Sequence, residues 1–477
     1  MIEPTFQPIV TAAEMRALEA AAITGGTSEV ELMQRAGHAA ARAIAAFTAP
    51  SDALVLCGPG NNGGDGYVVA TKLSQMGWPV RVAAIGAPAT ETAREAAAGW
   101  RGAVEPLGAL TPPATLVVDA LFGIGLARPL APNLAEALNR LAAAARTCVA
   151  IDLPSGAATD DGAALSPLPD CDMCISFGAA KPAHVLHPAA ARAGRLVVAG
   201  IGLAPARSQL NFLAPPRSVS EAPAAAHKYQ RGHVLVVGGP AQATGAARLA
   251  ALGAQRAGAG YVSLLSPTGA MAANAAQLTG VVLVEADTPA AVARAFGEGR
   301  AHALVIGPAL GRAHGRDKVL AALSVGKPVV LDADVFTLFE GDAAALAAAI
   351  EGPAVLTPHE GEFARLFGAL PGSKVDRARA AARQIGAVVL LKGPDSVIAA
   401  PDGRAAVNAH ATPYLATAGS GDVLAGVIGA MLARGLDPFE AACVAAWLHG
   451  DAGRRGGPGL IAEDLPVLIG QALAELA

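Results

Sequence analysis

The chain has 477 residues, room for two to four domains at roughly 100–200 residues each. Hydrophobic residues make up 53% and charged ones 16%, with a net charge of −4, so large cores are available and nucleic-acid binding has no electrostatic footprint. Aromatics at 4% leave little for base stacking, no long uninterrupted apolar run suggests a membrane span, and Met1-Ile2-Glu3-Pro4 has no basic region ahead of an apolar stretch, so a cytoplasmic protein is expected.

Two capping signatures come first. Thr11-Ala12-Ala13-Glu14 and Ser28-Glu29-Val30-Glu31 match S/T-x-x-E ahead of apolar-periodic runs, which predicts helices over about 12–22 and 29–47. A strand–helix alternation follows, with strands at 53–57, 80–85, 116–119 and 148–152 and helices after the glycines at 58–66 and near 133–145. Around 204–226 prolines 205, 215, 216 and 223 sit among alanines and serines, the texture of an interdomain linker. A second alternation predicts strands at 233–237, 261–265, 303–306, 328–332, 388–391 and 397–400. Asp402-Gly403 is a hairpin signal, and helices close the chain near 420–434, 438–453 and 463–475. Such alternation implies parallel sheets covered on both faces.

Five cysteines are too few and too scattered for a disulfide framework. Cys171-Asp172-Met173-Cys174 lacks the second ligand pair zinc needs and runs into a strand, so buried thiols are expected.

In the first half, Gly58-Pro59-Gly60-Asn61-Asn62-Gly63-Gly64-Asp65-Gly66 joins a strand to a helix. Glycines let the backbone approach a ligand, and a helix N-terminus suits phosphate. The alternative is a tight turn, and the pattern is neither G-x-G-x-x-G in its usual form nor a P-loop. Two further strand ends carry polar punctuation, Asp119-Ala120-Leu121-Phe122-Gly123 and Asp152-Leu153-Pro154-Ser155-Gly156. Any one aspartate reads equally as a cap or turn former. Three successive strand ends bring Asn61, Asn62, Asp65, Asp119, Asp152 and Ser155 to one rim, where open α/β sheets bind ligands.

These segments, together with Ser176-Phe177-Gly178-Ala179-Ala180-Lys181-Pro182, resemble the NAD(P)H-hydrate epimerase domain over about residues 10–213. The resemblance implies a Rossmann-like three-layer domain. It implies that the hydrated nucleotide is bound by Asn61, Asn62, Gly63, Gly64 and Asp65, by the loop Gly123, Ile124, Gly125, Leu126, Ala127, Arg128 and Pro129, and by Asp152. It also implies a potassium ion on Asn62, Asp119 and Ser155, oxygen ligands that suit a hard cation. Swapping the stereochemistry at ring carbon 6 needs proton transfer at the hydroxyl, for which Asp152 is the candidate acid–base group. The sequence does not separate that role from a purely binding one.

In the second half, Gly419-Ser420-Gly421-Asp422 opens a long apolar helix, placing backbone N–H groups and a carboxylate together where a plain cap needs one polar residue. Leu391-Lys392-Gly393-Pro394-Asp395-Ser396, Thr357-Pro358-His359-Glu360-Gly361-Glu362 and Gly307-Pro308-Ala309-Leu310-Gly311 end three strands. His359 alone reads as a cap and Lys392 alone as a solvated charge. The G-S-G-D turn with a strand-end Lys-Gly resembles the ribokinase-like fold. With His227-Lys228, Gly238-Gly239, Thr244-Gly245-Ala246 and Arg256-Ala257-Gly258-Ala259-Gly260, the set is similar to the NAD(P)H-hydrate dehydratase family over about 220–475.

That resemblance implies that Ala246, Gly311, His359 and Asp422 contact the hydrated nucleotide, and that Lys392, Gly393, Pro394, Asp395, Ser396 and Gly421 contact the adenine nucleotide. Asp422 is the second candidate catalytic residue. ADP is the expected co-substrate and Mg2+ the expected charge neutraliser. Tyr229 and Pro240-Ala241-Gln242-Ala243 depart from the family pattern, in which a glycine after His-Lys and a Ser/Gly-rich turn are common. The expected layout is an epimerase domain over 1–213, a linker over 214–226 and a dehydratase domain over 227–477. The expected protein is a homo-oligomer that acts on NADHX and NADPHX and binds neither nucleic acid nor membrane. Two alternatives stand beside it: a small-molecule kinase built on the second half, and a first half that is a non-catalytic binding scaffold.

Overall fold

The computed structural model describes residues 2–218 and 227–476. They form two compact units, one over Pro8–Ser208 and one from Gln209 onward joined by the leading segment through Gln7. Each unit is an α/β sheet with helices packed on it. Among the described residues no helix is long and apolar enough to cross a membrane.

In the Pro8–Ser208 unit, seven parallel strands lie in the spatial order Val104–Pro106, Val80–Ala84, Ala53–Cys57, Leu116–Ala120, Thr147–Ile151, Met173–Phe177, Arg195–Ala199. The central strands are buried throughout, which is why they read as unbroken apolar runs. One core packs helices Glu29–Phe47 and Asn61–Gln75 on one face, and a second packs helix Pro132–Ala144 on the other, giving three layers. The Thr11 capping box forms as expected: Thr11 N donates to Glu14 Oε2 (2.7 Å) and Glu14 N to Thr11 Oγ1 (3.2 Å). Strand order reverses between Ala53–Cys57 and Leu116–Ala120. That switch point opens a crevice at their carboxyl ends.

The other unit holds an eleven-stranded sheet. Its parallel stretch runs Val282–Glu285, Tyr261–Ser266, His233–Val237, Ala303–Ile306, Val329–Leu331, Ala354–Leu356, Val388–Leu391. Ser396–Ala399 and Ala405–Asn408 follow as the expected hairpin, with Gly403 at φ +98° in the turn. Helices Thr244–Arg256, Ser420–Ala433, Pro438–Gly456 and Leu465–Glu475 contribute to one large core. A Cβ at Gly426 would stand 1.9 Å from Ala250 O, so glycine is what lets helix Ser420–Ala433 pack against helix Thr244–Arg256.

The expected domain limits shift. Leu210–Ser218 is a strand of the second unit's sheet, pairing Leu210–Phe212 with Ala405–Val407, and Ile2–Pro8 lies beside it. Residues 214–218 of the stretch expected to be a linker are therefore strand, and residues 219–226 lie outside the described residues. Pro215 and Pro216 fit because they fall beyond the register shared with Ala405–Val407. All five cysteines are buried and free, as expected.

Candidate functional sites

In the first unit the crevice is lined by three loops. A Cβ at Gly58 would lie 1.8 Å from Leu121 O, and one at Gly63 would lie 1.8 Å from Gly58 O. These glycines therefore let the loop close on its neighbour. The N-cap of helix Asn61–Gln75 is Gly60 and no side chain caps it, which leaves amide groups for a ligand. Asn61 Oδ1 accepts from Thr90 Oγ1 (2.6 Å). Asn62 Nδ2 is buried without a hydrogen-bond partner.

Asp119 and Ser155 form a buried pair. Ser155 Oγ donates to Asp119 Oδ1 (2.7 Å) and Ser155 N to Oδ2 (2.8 Å), while Leu121 N reaches Oδ1 (3.2 Å). Burial raises the Asp119 pKa against these hydrogen bonds.

Asp152 stands on the next strand end with φ +64°, unusual for a residue with a side chain. Its Oδ1 takes Lys181 Nζ at 2.7 Å, and its Oδ2 accepts from Ile124 N at 3.2 Å. A Cβ at Gly123 would come within 2.7 Å of Asp152 Oδ2 and 3.1 Å of Asn62 Oδ1, so Gly123 lets the two site residues meet. The rest of the loop is largely exposed at Gly125, Ala127, Arg128 and Pro129, with Leu126 half-buried. Asp65 is held well above the usual carboxylate range, first by burial and then by the Asp152 charge. Glu19, on helix Ala12–Thr24, is raised by the same two causes. The sequence reading missed Glu19, Lys181 as a partner of Asp152, and His184. A charge at the end of strand Met173–Phe177 was the available signal for Lys181.

In the second unit the strand ends converge on Lys392. Its Nζ lies 3.0 Å from Asp332 Oδ1 and 3.8 Å from Glu362 Oε2. Burial would lower the Lys392 pKa, but Asp332 and Glu362 outweigh it and the net shift is upward. Asp332 is fixed by Thr357 Oγ1 at 2.7 Å. His359 caps helix Glu360–Phe367, its Nδ1 accepting from Gly361 N (3.0 Å) and Glu362 N (3.2 Å), so its cap reading is realised while its ring stays exposed. Burial, then Asp332, pushes Asp422 up to about 7. Ser420 starts its helix, and His449 Nε2 lies 3.0 Å from both Ser420 Oγ and Ser420 O.

The Lys392–Ser396 turn is closed by Gly393 N donating to Ser396 Oγ (3.1 Å), and Asp395 pairs with Lys374 at 2.6 Å. Gly311, at φ +79°, donates its N–H to Asp334 Oδ2 (2.9 Å), and Ala246 sits half-buried in the first turn of helix Thr244–Arg256. Asp332, Glu362 and Lys374 were not singled out from sequence. Tyr229 packs on Tyr261 and His233 at the amino ends of the strands, away from these groups.

Fold and sites define a two-unit α/β enzyme, each unit with a glycine-rich helix start and a carboxylate at the strand ends. A family model described as NAD(P)H-hydrate dehydratase matches residues 234–464, and one described as YjeF-related protein N-terminus matches residues 29–183. A bifunctional NAD(P)H-hydrate repair enzyme of Synechocystis is 34% identical, covering 94% of this chain and 91% of its own. One of Salinibacter ruber is 35% identical, covering 99% and 97%. A crystal structure of an ADP/ATP-dependent NAD(P)H-hydrate dehydratase from Bacillus subtilis is 31% identical with a TM-score of 0.48, covering 54% of this chain and 94% of that one. The chain belongs to the family of bifunctional NAD(P)H-hydrate repair enzymes.

Proposed function

We propose that the Pro8–Ser208 unit interconverts R- and S-NAD(P)HX, and that the second unit dehydrates S-NAD(P)HX with ADP, yielding NAD(P)H, AMP and phosphate. The observation that carries the reading is a carboxylate near a lysine in each of two separate units: Asp152, at a strand end and paired with the buried Lys181, and Asp422, in the first turn of helix Ser420–Ala433, whose start the half-buried Lys392 faces.

In the epimerase site, Asp152 moves the hydroxyl proton to the ring nitrogen as the C6–N1 bond opens to an aldehyde, and the reverse transfer accompanies re-addition of the nitrogen to the other carbonyl face. Asp65, whose pKa burial and the Asp152 charge raise, lies on the same rim. Asn62, Asp119 and Ser155 would hold potassium. Their fit rests on a buried carboxylate whose hydrogen bonds come from Ser155 and Leu121 rather than from a cationic side chain, and on the Asn62 amide, whose buried Nδ2 has no partner and which is free to turn its oxygen inward. The ion would supply charge compensation.

In the dehydratase site, Asp422 deprotonates the substrate hydroxyl so that it attacks the terminal phosphoryl group of ADP. The G-S-G turn holds phosphate, and Lys392 faces that turn. AMP leaves, and loss of phosphate from carbon 6 together with a proton from carbon 5 restores the ring double bond. Among the described residues no three acidic, His or Cys groups form a metal cage, so Mg2+ would rest largely on nucleotide and water oxygens and supply charge neutralisation. Cytoplasmic location and a homo-oligomeric state belong to the same proposal.

The test is a mixed-epimer NADHX and NADPHX assay of the purified protein with no nucleotide, with ADP and with ATP at matched concentration. R/S interconversion without nucleotide, and faster NADH or NADPH formation with ADP than with ATP, is the expected result. No interconversion removes the epimerase reading, and faster turnover with ATP reverses the donor assignment.

A further inference from the structure

Lys181 and His184 bracket Asp152 from one short segment. The Lys181 side chain is 1% exposed and has three protons on Nζ. Each has an acceptor: Asp152 Oδ1 at 2.7 Å, Ser176 Oγ at 2.9 Å and Phe177 O at 3.0 Å. An ammonium saturated in this way has no proton left for a substrate. His184 completes the bracket on the main chain. Lys181 N donates to His184 Nδ1 (2.8 Å), which places the ring proton on Nε2, and Nε2 lies 2.6 Å from Asp152 O. Burial lowers the His184 pKa to about 4, so the ring serves as a neutral donor. The side chain and the carbonyl of Asp152 are thus both held, at a residue whose left-handed backbone would otherwise relax.

Resting on the epimerase reading, we infer that Lys181 and His184 are positioning residues that clamp Asp152 so that Oδ2 alone, beside Gly123 and Ile124 N, meets the substrate. The clamp fixes which oxygen works and at what angle, and it takes no part in proton transfer.

The experiment uses the full chain, with R/S interconversion of NADHX as readout and dehydration of the S epimer by the same molecules as internal control. Lys181→Met is expected to lower the epimerisation kcat by about 10²-fold at nearly unchanged KM and unchanged dehydration. Because the lysine acts through Asp152, Lys181→Met adds no further loss to Asp152→Asn. Near wild-type epimerisation by Lys181→Met overturns the inference, as does a double variant in which the two losses multiply. Where Lys181→Met loses the first unit's thermal transition, His184→Asn decides. Asn keeps an acceptor for Lys181 N, but its shorter amide does not extend to the Nε2 position, which leaves Asp152 O only the weaker Cys174 Sγ donor at 3.4 Å, so kcat should fall about tenfold with KM kept. Wild-type kcat there overturns the clamp. A wild-type protein that never epimerises removes the underlying reading as well, whereas an active wild type with indifferent variants removes the clamp alone.

Discussion

Lys392 Nζ stands 3.0 Å from Asp332 Oδ1, and a Cβ on Gly421 would come within 3.2 Å of the same ammonium. The lysine is therefore pinned by a carboxylate on one strand end while it faces the helix start that the G-S-G-D turn forms. A positive charge and the helix N-terminus point at one place, which is the arrangement a phosphate requires.

Gly421→Ala pushes on that ammonium without filling the core. The lysine must give by a few tenths of an ångström, so folding should survive while phosphate binding suffers. An affinity for ADP weakened by about tenfold, read by calorimetric titration, is expected. Unchanged affinity would place the phosphate elsewhere.

Asp422 titrates at about 7 and acts as a base only when ionised. The dehydration rate should therefore rise as pH rises through about 7 and level off above it, and Asp422→Asn should be slow at every pH. Stability has the opposite sign. A carboxyl with a raised folded pKa favours the folded state at low pH and loses that benefit as pH climbs through 7. Asp422→Asn should melt above wild type in alkaline buffer, with the gap closing in acid. A rate profile flat across neutrality contradicts the assignment.

The two activities should separate by single carboxylate changes, because Asp152 and Asp422 belong to different compact units. Asp422→Ala should lose dehydration by about 10²–10⁴-fold and keep epimerisation. Asp152→Ala should dehydrate the S epimer and leave the R epimer to accumulate. Chromatography of a mixed-epimer reaction measures both, and near-normal dehydration by Asp422→Ala would end its catalytic role.

Potassium should support the first unit alone. Asp119 is fully buried and hydrogen-bonded to Ser155 and Leu121, so Asp119→Ala should abolish ion density and epimerisation together. Full epimerase activity in potassium-free, chelated buffer would be the contrary result.

Much of this was legible locally. Glycine runs after apolar strands, capping boxes and the Asp402-Gly403 turn act within a few residues of their own position, so Asn61–Asp65, the Asp119 and Asp152 strand ends and Gly419–Asp422 could be placed before any fold was known. What escaped the sequence was pairing across distance. Ile2–Pro8 and Leu210–Ser218 lie side by side in one sheet although some 200 residues separate them, and Pro215 and Pro216, two of the prolines that suggested a linker, sit past the register shared with Ala405–Val407. Lys181 read as one residue of a motif, and only folding set its ammonium on the Asp152 carboxylate and His184 on the Asp152 carbonyl. Asp332, Glu362 and Lys392 come from three separate strand ends and have no common sequence pattern. Backbone propensity and turn chemistry are properties of neighbours along the chain, whereas ion pairs and raised pKa values depend on which strand ends the parallel sheet brings together and on how much water their packing removes.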